Sequence, residues 1–368
     1  MTVGPYRPPL QTFGGIDHEV DQARGRGGCR HDGSHRLRRD ALKQSADLRG
    51  SRKRAPQSFQ PLLLLRVQVV LLGTAAGGGF PQWNCWCPSC RVARAEPGRA
   101  VARSQSSAAV SADGERWFLL NASPDVRDQL GRLSVPAPEG VRHVPVEGVV
   151  LTDAELDHTL GIVLLREARR LQIAATDAVR RVIEDDSRIL PVTRAFADVS
   201  VTELLPDRAT ELCYRDGVGS GLRVTCFPVP AGPPRFAREE RANHTVGLLI
   251  QDDRTGAASA FVPGCGGLDD ALMTRLGAAD LVLFDGTFWT DDELVRLGIG
   301  ERTARDMDHL PISGPDGSLA RLATLAGRQR VYTHINNTNP MLIEDGPERR
   351  QVEAAGLQVG VDGMRFTL

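Results

Sequence analysis

Lysine is almost absent from this 368-residue chain: Lys43 and Lys53 are the only two, and arginine supplies the remaining positive charge. Beyond residue 60 there is no amine for a Schiff base and no Walker lysine, which excludes pyridoxal-phosphate chemistry and P-loop phosphoryl transfer for that region. Long apolar runs are missing as well. The longest, Leu62 to Leu72, is interrupted by Arg66 and Gln68 and is too short to span a bilayer, so no membrane insertion is expected. It also leads into a glycine turn, unlike a signal peptide. A disulfide framework is lacking: Cys29, Cys85, Cys87, Cys90, Cys213, Cys226 and Cys265 are odd in number and unevenly spaced. That usage fits a reducing cytoplasm.

The net charge of -1 conceals an asymmetry. Residues 1–60 carry 12 Lys/Arg against 6 Asp/Glu, leaving 33 against 40 beyond them. An acidic domain argues against nucleic acid as its partner. Residues 1–60 show no helical or strand period and read as a disordered basic leader, as an extension from a mis-set start codon would be. Residues 61–368 read as one folded domain.

What the chain does have is a thiol cluster behind a glycine-rich turn, Leu72-Gly73-Thr74-Ala75-Ala76-Gly77-Gly78-Gly79-Phe80-Pro81-Gln82-Trp83-Asn84-Cys85-Trp86-Cys87-Pro88-Ser89-Cys90. A Cys-x-Cys disulfide would be strained, whereas C-x-C-x-x-C lets three sulfurs converge on one tetrahedral ion. Cys85, Cys87 and Cys90 are therefore expected to hold a structural zinc whose fourth ligand comes from elsewhere. The glycines let the backbone pass close to a pocket floor, and Trp83 and Trp86 either line that pocket or pack around the zinc.

Strand signals fall at Leu62–Leu72, at Ala108–Ser111 and Trp117–Asn121 around an Asp113-Gly114 turn, at Gly148–Thr152, Leu222–Val229, Thr245–Gln251, Ala258–Val262, Asp280–Phe284 and Arg330–Thr333, and in a terminal strand pair. Helical signals fall after Ser123-Pro124-Asp125 with Ser as cap, over Gly161–Leu171, Asp177–Ile183, Leu268–Leu276, Leu319–Ala326 and Pro347–Ala355. This order predicts a layered α/β architecture, two mostly antiparallel sheets inside and helices outside.

A second constellation follows Gly148–Leu151: Asp153, Glu155, Asp157 and His158 within Thr152–Gly161. Carboxylates plus an imidazole suit iron, manganese or zinc; the same acids would also complement a helix N-terminus.

The segment resembles the metal signature Thr-His-x-His-x-Asp-His-x-x-Gly of the metallo-β-lactamase superfamily, with Asp153 and Glu155 in place of its first two histidines. Asp285 resembles the metal-bridging aspartate and His334 the last histidine ligand of that superfamily. Seven motifs in order make the likeness specific: LGTAAGGGFPQWNCWCPSC, RSQSSAAVS, WFLLNASPD, LTDAELDHTLGIVLLRE, FDGTFW, DMDHLPISGPDG and THINNTNP. Over roughly 65–368 they resemble the coenzyme PQQ synthesis protein B family.

The resemblance implies an αββα sandwich and a role in making pyrroloquinoline quinone (PQQ). It implies either Fe(II)- and O2-dependent hydroxylation of the tyrosine ring of a cross-linked Glu–Tyr precursor, or carriage of PQQ or its precursor toward the periplasm. A metal-dependent hydrolase is a further alternative, disfavoured by the replaced histidines. Glu155, Asp157, His158, Asp285 and His334 are the expected active-site metal ligands, for Fe(II) or else zinc or manganese. Asp153 is expected to orient a ligand imidazole, and His309 to move protons or touch substrate. His244 is a candidate for the missing third histidine but reads more simply as an exposed loop residue. Cys265 reads as an exposed turn residue, and Cys213 and Cys226 as buried apolar ones. Related phosphodiesterases close the thiol site with a histidine where this chain has Asn337. A homodimer is compatible with the family.

Overall fold

Alternation of side chains along the strands sorts this chain into four layers. The computed structural model describes residues 66–368 apart from 134, 136–139 and 326; the basic leader and the start of the Leu62–Leu72 strand lie outside the described residues. Along β1 (Gln68–Gly73), Val69 and Leu71 face the second sheet, while Val70 and Leu72 face outward onto helices. Successive residues of a strand point to opposite faces, so an unbroken apolar run demands cover on both. The same parity recurs in Leu281 to Phe284, where Leu281 and Leu283 join the inter-sheet core, and Val282 and Phe284 join the outer one.

The first sheet holds β1, β2 (Ser107–Ser111), β3 (Trp117–Leu120), β4 (Val146–Val150), β5 (Arg170–Ala175) and β6 (Asp198–Glu203) in sequence order. The second holds β7 (Ala209–Cys213), β8 (Gly219–Pro228), β9 (Val246–Asp252), β10 (Ala258–Val262), β11 (Leu281–Asp285), β12 (Gln329–Thr333) and β13 (Gln358–Val359), also in order. The last strand, β14 (Arg365–Thr367), returns to pair with β1. Helices Gly161–Leu164, Asp177–Arg181 and Ile189–Arg194 cover the first sheet, and helices Pro88–Ala95, Asp270–Gly277 and Pro347–Ala354 the second. This is the αββα sandwich.

Each sheet is half parallel, not mostly antiparallel as expected. β3 to β6 run parallel to one another, as do β10 to β13. The hairpins β2–β3 and β9–β10 form as the turn residues predict. The terminal strands do not pair; β13 and β14 join different sheets. The expected helix Gly161–Leu171 ends at Leu164, passes through a 3-10 turn, and gives way to β5. Asp125, not Ser123, occupies the helix N-cap; Ser123 Oγ accepts from the Asp125 amide instead. β6, β7 and the helix Ile189–Arg194 carry no clear signal in the sequence, because β6 and β7 are edge strands with many exposed polar residues.

The parallel arrangement positions the chemistry. The C-terminal ends of β4, β11 and β12 open toward the same crevice, and loops leaving strand ends at such a crevice are where α/β sheets bind ligands.

Candidate metal and substrate site

β4 delivers Thr152 and Asp153 from its C-terminal end, and the short helix Leu156–Thr159 carries Asp157 and His158. Gly161 lets that helix lie against the β3 end. A Cβ there would fall 2.2 Å from Ser123 O and 2.6 Å from Ala122 O. In its absence the Gly161 amide donates to Ala122 O, and the Ala122 amide to His158 O.

A relay of buried hydrogen bonds orients His158. The Asn121 side-chain oxygen accepts from the Thr152 amide at 2.9 Å, Thr152 Oγ1 donates to Asp153 Oδ2 at 2.7 Å, and His158 Nδ1 lies 2.8 Å from both Asp153 oxygens. His158 Nε2 is buried with no hydrogen-bond partner. Burial disfavours the charge on both partners, but the pairing outweighs it: Asp153 is held below the usual carboxylate range and His158 is pushed up to about 9.

β11 and β12 supply the other wall. Asp285 Oδ1 accepts from the Thr287 amide and, at 2.5 Å, from Thr287 Oγ1; Oδ2 accepts from the Cys265 amide at 3.0 Å and lies 2.6 Å from His309 Nδ1. Asp285 thus caps the following turn and holds His309 as well. Burial opposes both charges there too, yet their pairing lowers the Asp285 pKa and raises that of His309. With its proton given to Asp285, Thr287 Oγ1 accepts from His334 Nδ1–H at 2.8 Å. His334 takes a left-handed backbone, φ 54°, directly after β12.

Nε2 of His334 then stands 3.3 Å from Asp157 Oδ2, and Nε2 of His158 stands 3.8 Å from the same oxygen. Three electron-pair donors converge on one point. A cation or a proton must lie between them, and two imidazoles with one carboxylate fit a borderline divalent metal that keeps open positions. His309, Asp285 and His334 make an overlapping second trio.

Not every expected ligand joins these trios. Glu155 belongs to neither; it lies on the cavity wall, where desolvation and the neighbouring Asp153 and Asp157 push its carboxyl up to about 7. Asp153 lies behind His158. His244 is buried, not exposed, but bonds the Glu239 carbonyl in a separate cavity. Cys265 is also buried; its thiol, pushed up to about 12 by burial, donates to Gly267 O. Cys226 is buried as expected and Cys213 is half-buried. Thr152, Asn121 and Thr287 are the supports that motif reading missed; all three fall inside quoted motifs, but nothing in their spacing shows what they hold.

The cavity above the trio measures about 630 Å³. Gly77 and Gly78 form part of its wall, as the glycine turn suggests, and Phe236 and Phe288 give it apolar surface, while Arg235 and Arg302 add positive charge. Trp83 and Trp86 do not line it. Trp83 is 84% exposed, and Trp86 lies under the Arg94 guanidinium beside the cysteines.

Cys85, Cys87 and Cys90 form the third cluster of ligand atoms, free of disulfides. Hydrogen bonding from Cys87 holds the Cys90 thiol well down, at about 5, while Cys87 is pushed up. No helix among the described residues is long and apolar enough to cross a membrane.

Residues 116–335 match the Beta-lactamase superfamily domain. The chain is 44% identical over 311 residues to the coenzyme PQQ synthesis protein B of Methylobacterium nodulans, covering 82% of this chain and 100% of that one. It is 42% identical over 310 residues to the protein of the same name from Gluconobacter oxydans, covering 82% and 99%. The crystal structure of Zn(2+)-bound PqqB from Methylobacterium extorquens superposes with a TM-score of 0.73 at 40% identity, over 82% of this chain and 100% of that one. A diphosphatase of the PhnP family, at 21% identity and a TM-score of 0.57, shares the fold. With that identity over the full length of its relatives, the chain belongs to the coenzyme PQQ synthesis protein B family, within the beta-lactamase superfamily.

Proposed function

We propose that this chain hydroxylates the tyrosine ring of the cross-linked Glu–Tyr precursor of PQQ in the cytoplasm, using Fe(II) held by Asp157, His158 and His334, with O2 as cosubstrate. The observation that carries this reading is the convergence of His158 Nε2, buried and unpaired, with His334 Nε2 on Asp157 Oδ2. Two imidazoles and one carboxylate on one side of an ion are the donor set of non-haem iron oxygenases. A ferrous ion bound there would supply the redox chemistry for transferring one oxygen atom from O2 to the ring, the other leaving as water with two protons and two electrons from an external reductant.

The chain's own residues do the rest. Asp153 and Thr287 fix the two imidazoles with Nε2 forward, so the donor geometry exists before any ligand arrives. His309, held by Asp285 and bordering the cavity, is placed to give a proton near the reacting ring or take one back. Phe236 and Phe288 offer apolar surface for an aromatic ring. Arg235 and Arg302 favour a substrate that carries carboxylates. The cysteine trio would hold a structural zinc, and the six free cysteines of the described residues suit a reducing compartment.

The test is anaerobic reconstitution with Fe(II), followed by O2, a reductant and a Glu–Tyr precursor peptide. The expected product is one oxygen atom heavier by mass spectrometry and absent without O2. Stoichiometric binding of PQQ, unaffected by Asp157→Ala and without any product, would establish a carrier instead. The second trio, Asp285, His309 and His334, favours one other reading, a two-metal hydrolase. Turnover of phosphodiester probes with zinc in the absence of O2 would select it.

A further inference from the structure

Asp157 and His158 follow β4 of the first sheet, and His334 follows β12 of the second. Their spacing must be fixed by contacts between the sheets. One short segment, Thr74–Gly77 after β1, touches both halves. Ala75 forms a parallel bridge to Gln105 on one side and to Ile335 on the other. The Ile335 amide donates to Thr74 O at 2.8 Å and the Ala76 amide to Ile335 O at 2.9 Å, which brackets the residue next to His334. Across the segment, the Thr74 and Ala75 amides both donate to Ser104 O, at 3.0 and 2.9 Å. Gly77 then lies against Asp157, where a Cβ would stand 3.4 Å from Asp157 Oδ2.

Asp362, in the loop between β13 and β14, anchors this segment from behind. Its Oδ1 accepts from Thr74 Oγ1 at 2.9 Å, and its Oδ2 accepts from the Ser104 amide and the Ser104 hydroxyl, each at 2.7 Å. The carboxylate therefore joins the segment to its neighbour, and only 7% of the side chain is exposed. The same loop is tied to both sheets: the Gly360 amide donates to Tyr332 O in β12 at 2.8 Å, and the Gly363 amide to Leu71 O in β1 at 2.7 Å. Arg103, fully buried, donates to Thr74 Oγ1 at 3.2 Å and to Gly360 O, while its Nε and Nη2 have no hydrogen-bond partner. A cation so buried is costly unless carboxylates compensate it, and Asp362 and Glu344 are the ones that do.

We infer that Asp362 is a positioning residue for the metal trio: acting through the Thr74 hydroxyl and the segment Thr74–Gly77, it sets the spacing of His334 from Asp157 and His158, given the reading that this trio binds a metal ion. Asp362 touches none of the three ligands. A small shift of the segment reaches Ile335 and Asp157 together, because it is hydrogen-bonded to one and packed on the other.

The experiment titrates the metal-depleted full chain with Mn(II), counting the free ion by its EPR signal; carboxylates suit this ion, whereas thiolates select softer ones. Asp362→Asn and Thr74→Val are each expected to weaken Mn(II) binding about tenfold, and Thr74→Ser, which keeps the hydroxyl, to restore it. The double variant Asp362→Asn/Thr74→Val is expected to bind within about twofold of the weaker single variant, since changes along one route do not add. Asp252 serves as control: its carboxylate is as buried, paired with Arg254, and lies at the end of β9 away from Thr152. Asp252→Asn is expected to lower the urea midpoint and leave Mn(II) affinity unchanged. Urea midpoints accompany every titration, and Thr74→Val tests the same hydrogen bond should Asp362→Asn fail to fold. Full affinity in Asp362→Asn, equal losses in Thr74→Val and Thr74→Ser, or an equal loss in Asp252→Asn would overturn the positioning role. Losses that multiply in the double variant would overturn the route through Thr74. No Mn(II) bound by the unsubstituted chain, or as much bound by Asp157→Ala, would remove the trio as a metal site and the inference with it.

Discussion

Asp157 Oδ2 and His334 Nε2 stand 3.3 Å apart although 177 residues separate them in the chain. The first sheet carries one and the second sheet the other, so the metal trio exists only when the sandwich is closed. Metal binding and folding of the two sheets are therefore linked, and an ion bound there stabilises the native state by mass action.

Asp153→Asn keeps the shape behind His158 and removes the charge that fixes its tautomer. Affinity of the trio for zinc should fall about 10–100-fold, read by chelator competition, with helical content by circular dichroism unchanged. An affinity equal to that of the unsubstituted chain would mean that Asp153 orients nothing.

Gly161→Ala forces a Cβ to within 2.2 Å of Ser123 O, a backbone atom that cannot step aside cheaply. The helix carrying Asp157 and His158 must shift. Urea unfolding should show a loss of about 1–3 kcal/mol, and zinc affinity of the trio should drop with it.

His309→Ala separates proton transfer from metal binding. Ferrous ion content should be retained, since Asp157, His158 and His334 remain, while product formation should fall about 10²–10⁴-fold. Loss of the metal together with activity would instead make His309 a ligand.

Glu293 sets a pH dependence of stability. Burial pushes its carboxyl from 4.5 up to about 7, against the hydrogen bonds from Thr338 and the Trp289 amide. Between those values the native state binds more protons than the unfolded one. The contribution of this group is therefore complete below about pH 4.5 and is lost as the pH rises through about 7. Glu293→Gln keeps the shape and should flatten that part of the stability curve, measured by urea midpoints across the range.

The legible parts of this protein were those written in local order. The hairpin turn at Asp113-Gly114, the unbroken apolar runs of β1 and β11, and the cysteine spacing each express a constraint spanning a few residues, so adjacency in sequence carries it. The folded arrangement alone decided which of the neighbouring acids meets a histidine from the other sheet. Asp153 and Glu155 look alike beside Asp157 in sequence and both border the cavity, yet only Asp153 holds His158 Nδ1, at 2.8 Å. Strand pairing decided that as well: half of each sheet runs parallel, which brings the ends of β4, β11 and β12 to one crevice. Distances across 177 residues are set by how two sheets pack, and no local pattern encodes them.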